Sequence, residues 1–79
     1  MLTQSQRRYP YVIAWYRTTM GPIHEHAKLT RVRSLVEARE RVFAARGCEW
    51  QRAVVFGRNR LLGGTTMITP DHIVWTCAL

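Results

Sequence analysis

Three histidines, two cysteines and eleven arginines hold most of the chemical potential of this 79-residue chain. His24 and His26 flank Glu25 in an H-E-H triplet, His72 follows Asp71, and Cys48 and Cys77 stand apart. Imidazole and thiolate are the ligands zinc prefers, so a metal site is the first possibility to weigh. The spacing argues against it: there is no C-x-x-C pair, and H-x-H recurs by chance. Cys77 falls in an apolar segment, where a free cysteine behaves as a small hydrophobe. The expectation is no metal and no cofactor.

The same histidines, with Glu25 and Asp71, could share general acid and base roles while an arginine neutralises a phosphate. That is the chemistry of a small, toxin-like ribonuclease. Asp71, however, follows Pro70 in a turn, which such a carboxylate commonly shapes. No nucleophile–base spacing is present. Gly63-Gly64 lacks both the strand–turn–helix setting and the lysine of a phosphate-binding loop. Catalysis is therefore the lesser alternative, and no residue is assigned to it.

Charge carries more information. Twelve basic residues, of which only Lys28 is a lysine, oppose five acids and leave a net charge of +7. Such a balance attracts polyanions, although an arginine-rich habit also arises from a GC-rich genome. Arg7, Arg8, Arg17, Arg31, Arg33, Arg52, Arg58 and Arg60 are interleaved with Tyr9, Tyr11, Trp15 and Trp50. Guanidinium forks suit phosphates, and aromatic faces suit unpaired bases. The leading expectation is a non-enzymatic protein that contacts DNA or RNA through these arginines.

These groups need a scaffold. Tyr9 to Thr19 (YPYVIAWYRTT) is rich in aromatic and β-branched residues and predicts a strand with two apolar faces, at the centre of a sheet. Met20-Gly21-Pro22 ends it. Residues 23–33 are ambiguous between a second strand, hairpinned onto the first, and a loop with a helical turn. Ser34-Leu35-Val36-Glu37 matches a capping box, good helix formers run to Arg46, and Gly47 is placed for a left-handed stop. Leu35, Ala38, Val42 and Ala45 form the apolar stripe, with Val36 and Phe43 beside it. Arg39 and Arg46 interrupt that arc and are expected to snorkel past its edge. Three strand-like segments follow, from Trp50 to the C-terminus, punctuated by Gly57-Arg58-Asn59, Gly63-Gly64 and Pro70-Asp71.

The pattern predicts one α+β domain over residues 1–79, with 1–8 a frayed terminus. One helix packs on a mostly antiparallel sheet of four or five strands, in the order strand, ambiguous segment, helix, three-stranded meander. Apolar residues make up 47% of the chain and charged residues 22%, a globular composition. No signal peptide or membrane-length apolar run is seen, so a cytoplasmic location with reduced thiols and no membrane partner is expected.

Alternation assigns Ile13, Trp15, Val54, Phe56, Ile73 and Trp75 to the face under the helix. The reverse face would hold Val12, Ala14, Tyr16, Ala53, Val55, Val74 and Ala78. One helix cannot cover both. The expectation is that either residues 23–33 or another chain covers the second face. Val12, Ala14, Tyr16, Val55 and Val74 are thus a candidate protein interface, for a homodimer or a larger partner. The matching alternative function is an inhibitor or assembly factor of the kind viruses and mobile elements direct at host complexes.

Overall fold

The computed structural model describes residues 10–59, 65–66 and 70–79. It is an α+β fold, one helix on a four-stranded antiparallel sheet. Strand β1 (Tyr11–Tyr16) lies inside the sheet, between β2 (Lys28–Val32) and β3 (Arg52–Phe56). Val12 to Tyr16 are all buried, as a strand apolar on both faces requires.

Residues 23–33 realise both readings in succession. Ile23–Glu25 form a 3-10 turn, and the chain then returns as β2, hairpinned onto β1 with Ile13 opposite Thr30. The hairpin closes where the Ala27 amide donates to the Trp15 carbonyl at 2.8 Å. Helix α1 (Leu35–Ala44) begins where the box predicts: Ser34 Oγ accepts from the Glu37 amide at 3.1 Å. The reciprocal contact is displaced by one residue, because Glu37 Oε2 accepts from the Arg33 amide at 2.8 Å. That hydrogen bond holds the Glu37 carboxyl below its usual pKa; partial burial opposes the shift and Arg41 adds to it. At the other end the helix tightens into 3-10 geometry, with the Ala45 amide also reaching the Val42 carbonyl, and Gly47 takes a φ of 85°.

The meander has a particular form. β3 pairs directly with β6 (Ile73–Ala78), giving the sheet order β2-β1-β3-β6. Between them, β4 (Arg58–Asn59) and β5 (Thr65–Thr66) make a separate two-stranded ribbon. A second 3-10 turn, Pro70–His72, leads into β6.

Two apolar clusters sandwich the sheet. Under the helix lie Ile13, Trp15, Val32, Ala38, Val42, Ala53 and Val55; on the reverse face lie Ala14, Tyr16, Val54 and Phe56. The sequence reading of β3 was one residue out of phase. Val55 pairs with Ile13 and Val54 with Ala14, and residues directly opposite share a face. Val54 and Phe56 therefore leave the helix side, and Ala53 and Val55 join it. A register shift between Val55 and Phe56 also sets Ile73 opposite Phe56 and leaves Val74 as the extra residue of a bulge.

The reverse face is not left open. Val12, Ala14, Tyr16, Val54 and Phe56 are 0–3% exposed within the single chain. Part of the cover is Ile23, from the 3-10 turn. The Tyr16 hydroxyl donates to the Ile23 carbonyl at 2.6 Å, and the Arg52 guanidinium lies 4.1 Å from the Tyr16 ring centroid. Arg52 also donates to the Gly21 carbonyl at 3.3 Å, so two side chains from the sheet tie down the loop that crosses it.

Candidate functional site

The helix leans over β1 and β2, and both of its flanks expose aromatic rings capped by arginines. On the β2 flank, alternation along the strand points Lys28 and Thr30 toward the helix side, opposite Trp15 and Ile13. Trp15 is buried, and its indole N–H donates to Thr30 Oγ1 at 3.0 Å. Trp50, half-buried just before β3, tilts against Trp15 at 6.1 Å between ring centroids. Together with Arg41, Ala44 and Ala45 of the helix, these residues line an open cleft of about 290 Å³.

Cations surround this cleft. Arg17 sits 5.6 Å above the Trp50 ring and also pairs with Glu49 at 3.6 Å. Both members of that pair are well exposed, so the pair contributes little to stability, about 0–1 kcal/mol. Arg41 is held by Glu37 at 3.4 Å, across one helical turn. The cleft thus combines an aromatic wall, a hydroxyl already used to orient an indole, and three basic side chains of which two are weakly engaged.

On the β6 flank, Phe43 meets Trp75 edge-on at 6.1 Å. Arg39 lies 5.5 Å from the Trp75 centroid and Arg46 lies 4.9 Å from Phe43. These are the two arginines that interrupt the apolar stripe. Each sets its guanidinium over a ring, and both residues are exposed.

The eight arginines singled out from sequence do not gather on one face. Arg17 borders the cleft. Arg31 is exposed on the opposite side of β2, paired in register with Val12, and Arg33 is exposed beyond the end of that strand. Arg52 is half-buried beside Tyr16 on the reverse face, its Nε enclosed without a hydrogen-bond partner. Arg58 contributes backbone to β4, while Arg7, Arg8 and Arg60 lie outside the described residues. Sequence reasoning left out Lys28, Arg39, Arg41, Arg46, Phe43 and Trp75 as a binding group. The spacing of Arg39, Phe43 and Arg46, three or four residues apart along the helix and the turn that ends it, was the signal for three of them.

Of the candidate interface, Val12, Ala14 and Tyr16 are buried within the chain, and Val55 lies under the helix. Val74 alone remains substantially exposed, at 46%. Among the described residues no three His, Cys, Asp or Glu side chains converge to hold a metal. His24 and Glu25 are exposed on the 3-10 turn, and His26 beside them is half-buried with a partnerless Nδ1. Both cysteines are free thiols, Cys48 exposed and Cys77 half-buried. No helix among the described residues is long and apolar enough to cross a membrane.

The fold and this surface define a small basic α+β domain whose helix side presents arginine-capped aromatic rings. Comparison with protein-family models, with curated proteins and with solved structures finds no match to the chain.

Proposed function

We propose that the protein binds single-stranded nucleic acid along its helix side, without catalysis. The observation that carries this reading is the triple stacking of guanidinium on ring, Arg17 on Trp50, Arg39 on Trp75 and Arg46 on Phe43, on both flanks of one helix. Unpaired bases stack on such rings, and the outer edges of the guanidiniums meet phosphate oxygens. The cleft between Trp15, Trp50, Lys28 and Arg41 supplies a concave stacking wall with basic groups at its rim. A net charge of +7 favours any polyanion over the exposed Glu49 as the partner of Arg17. Recognition by rings and phosphates without a base-edge code makes binding tolerant of sequence, and does not separate RNA from DNA.

The docking alternative rested on an uncovered reverse face. Val12, Ala14 and Tyr16 of that face are buried within the chain, while Val74 stays 46% exposed.

The test is fluorescence anisotropy of a labelled single-stranded oligonucleotide between about 50 and 200 mM salt, the range over which phosphate contacts show themselves. Log K should fall with log salt at about −0.7 per phosphate contact. Lys28→Ala should shallow that slope by about one such increment without changing the fold. Trp50→Ala should weaken binding by about 1–3 kcal/mol and reduce the tryptophan quenching that accompanies stacking. A protein that shows no shift at low salt overturns the reading, as does binding indifferent to both substitutions.

A further inference from the structure

The side chains that line the cleft on the β2 flank share one chemical bias. None is acidic, and those with polar atoms are Trp15, Lys28, Thr30, Arg41 and Trp50. Thr30 Oγ1, the side-chain acceptor of that set, already takes the Trp15 indole N–H at 3.0 Å. Its hydroxyl proton is left to donate. Among the described residues the Lys28 ammonium has no ion pair and no hydrogen bond. Arg41 reaches Glu37 through Nε and Nη2, both at 3.4 Å, longer than an ordinary N–H···O bond. Its Nη1 makes no hydrogen bond among the described residues. The cleft therefore sets hydrogen-bond donors and positive charge around two indole rings.

Within the nucleic-acid reading of the helix side, on which this rests, we infer that the cleft is a self-sufficient site for one nucleoside monophosphate. The base lies on the Trp50 ring, and the phosphate lies among Lys28, Arg41 and the Thr30 hydroxyl. Size selects a single nucleotide. The cleft, about 290 Å³, stands at the lower end of the range of small-molecule sites, about 300–1,000 Å³. It admits one base with its phosphate, not two bases in a stack. Charge selects a phosphate over a carboxylate. A phosphate monoester brings about −1.5 to −2 and three acceptor oxygens to the three donor groups, where a carboxylate brings a single charge and two oxygens. The same donors repel an amine or any other cation. Stacking on Trp50 is indifferent to which base is present. The β6 flank is built differently: Phe43 and Trp75 meet edge-on, and Arg39 already lies over Trp75. A lone nucleotide finds no counterpart there to the unpaired Lys28. The cleft is thus the anchoring position, and the β6 flank engages only a strand that the cleft already holds.

The experiment is a heteronuclear NMR titration of the isotopically labelled full chain with adenosine monophosphate, with adenosine and with inorganic phosphate, each to about 10 mM. The indole N–H signals of the 3 tryptophans report the two flanks separately. Adenosine monophosphate should shift the Trp50 and Trp15 signals with a Kd on the order of 1 mM, and leave the Trp75 signal in place. Adenosine and inorganic phosphate, each keeping one half of the contacts, should bind at least about tenfold more weakly. Lys28 is exposed on an edge strand, so Lys28→Ala should keep the spectrum of a folded protein. It should weaken adenosine monophosphate about fivefold or more and change adenosine by less than about twofold. Inorganic phosphate binding as tightly as adenosine monophosphate would show an anion contact without a base, and overturns the inference. Shifts at Trp75 instead of Trp50, or none by about 10 mM, overturn it equally. Anisotropy with the labelled oligonucleotide then separates the two claims. Strand binding that persists after such a result leaves the helix-side reading standing without the nucleotide site. A cleft that takes adenosine monophosphate in a protein that binds no strand keeps the site and removes that reading.

Discussion

Replacing Tyr16 with phenylalanine deletes one oxygen and tests how the loop between β1 and β2 is held over the reverse face. The Tyr16 ring is 1% exposed and its hydroxyl donates to the Ile23 carbonyl at 2.6 Å. Tyr16→Phe keeps the buried ring and its stacking with Arg52, so the transfer contribution is unchanged. What is lost is a short neutral hydrogen bond, and the Ile23 carbonyl is left facing an aromatic carbon. A net hydrogen bond is worth about 0.5–1.5 kcal/mol, and an orphaned buried acceptor raises the loss to about 1–3 kcal/mol. Because Ile23 is only half-buried, water reaches part of its surroundings, and about 1–1.5 kcal/mol is the expected loss. For a domain of this size that lowers Tm by about 4–12 °C.

The buried Tyr16 hydroxyl also has a pH signature. Burial raises the Tyr16 pKa above 10.0, and the nearby Arg52 only partly offsets this. A folded pKa above the unfolded one means that the folded state holds its proton more tightly. The associated stability is complete below pH 10.0 and is lost as pH rises through the folded value. Wild type and Tyr16→Phe should therefore differ in urea midpoint at neutral pH and converge above pH 10.0. Equal midpoints at neutral pH, or parallel alkaline limbs, would refute the account.

Ser34→Ala removes the oxygen that accepts from the Glu37 amide and should cost about 0.5–2 kcal/mol, read as a lower Tm with the fold retained. The Glu37 carboxyl, depressed chiefly by the Arg33 amide, stabilises the fold above pH 4.5, and that stability is lost as pH falls through the folded value. Glu37→Gln should accordingly flatten the acid limb of a stability–pH profile, and an unchanged limb would count against the contact. Val55→Asp puts an unpaired charge beneath the helix, at a site 0% exposed. The penalty exceeds about 4 kcal/mol, close to the whole stability of a chain this small, so circular dichroism should show an unfolded protein. A folded Val55→Asp would mean that water reaches the side chain at this position.

The local signals were strong where one physical cause acts over a few residues. The helix start follows from Ser34 and Glu37, its end from Gly47, and β1 from the density of Tyr, Val, Ile and Trp between Tyr11 and Tyr16. The faces of β3 were not legible for a definite reason. Ala53/Val55 and Val54/Phe56 are both apolar pairs, so alternation offers no contrast to tell one side from the other, and a slip of one residue exchanges them. Arg39 was readable as a charge inside an apolar arc, but not as a cap on Trp75, because Trp75 reaches it from a strand 36 residues away.

By itself the sequence determined the basic charge, the helix and its cap, the central strand with two apolar faces, and the order strand–helix–meander. These depend on composition, propensity and contacts between residues a few positions apart, which the chain carries wherever it folds. Tertiary structure alone decided three things. The register Ile13–Val55 chose which side of β3 meets the helix, the 3-10 turn at Ile23 closed onto the reverse face, and Trp50, Lys28 and Arg41 came from three separate segments to line one cleft. Each is a pairing between distant stretches, and where both faces of a strand are equally apolar only the packed whole distinguishes one pairing from the next.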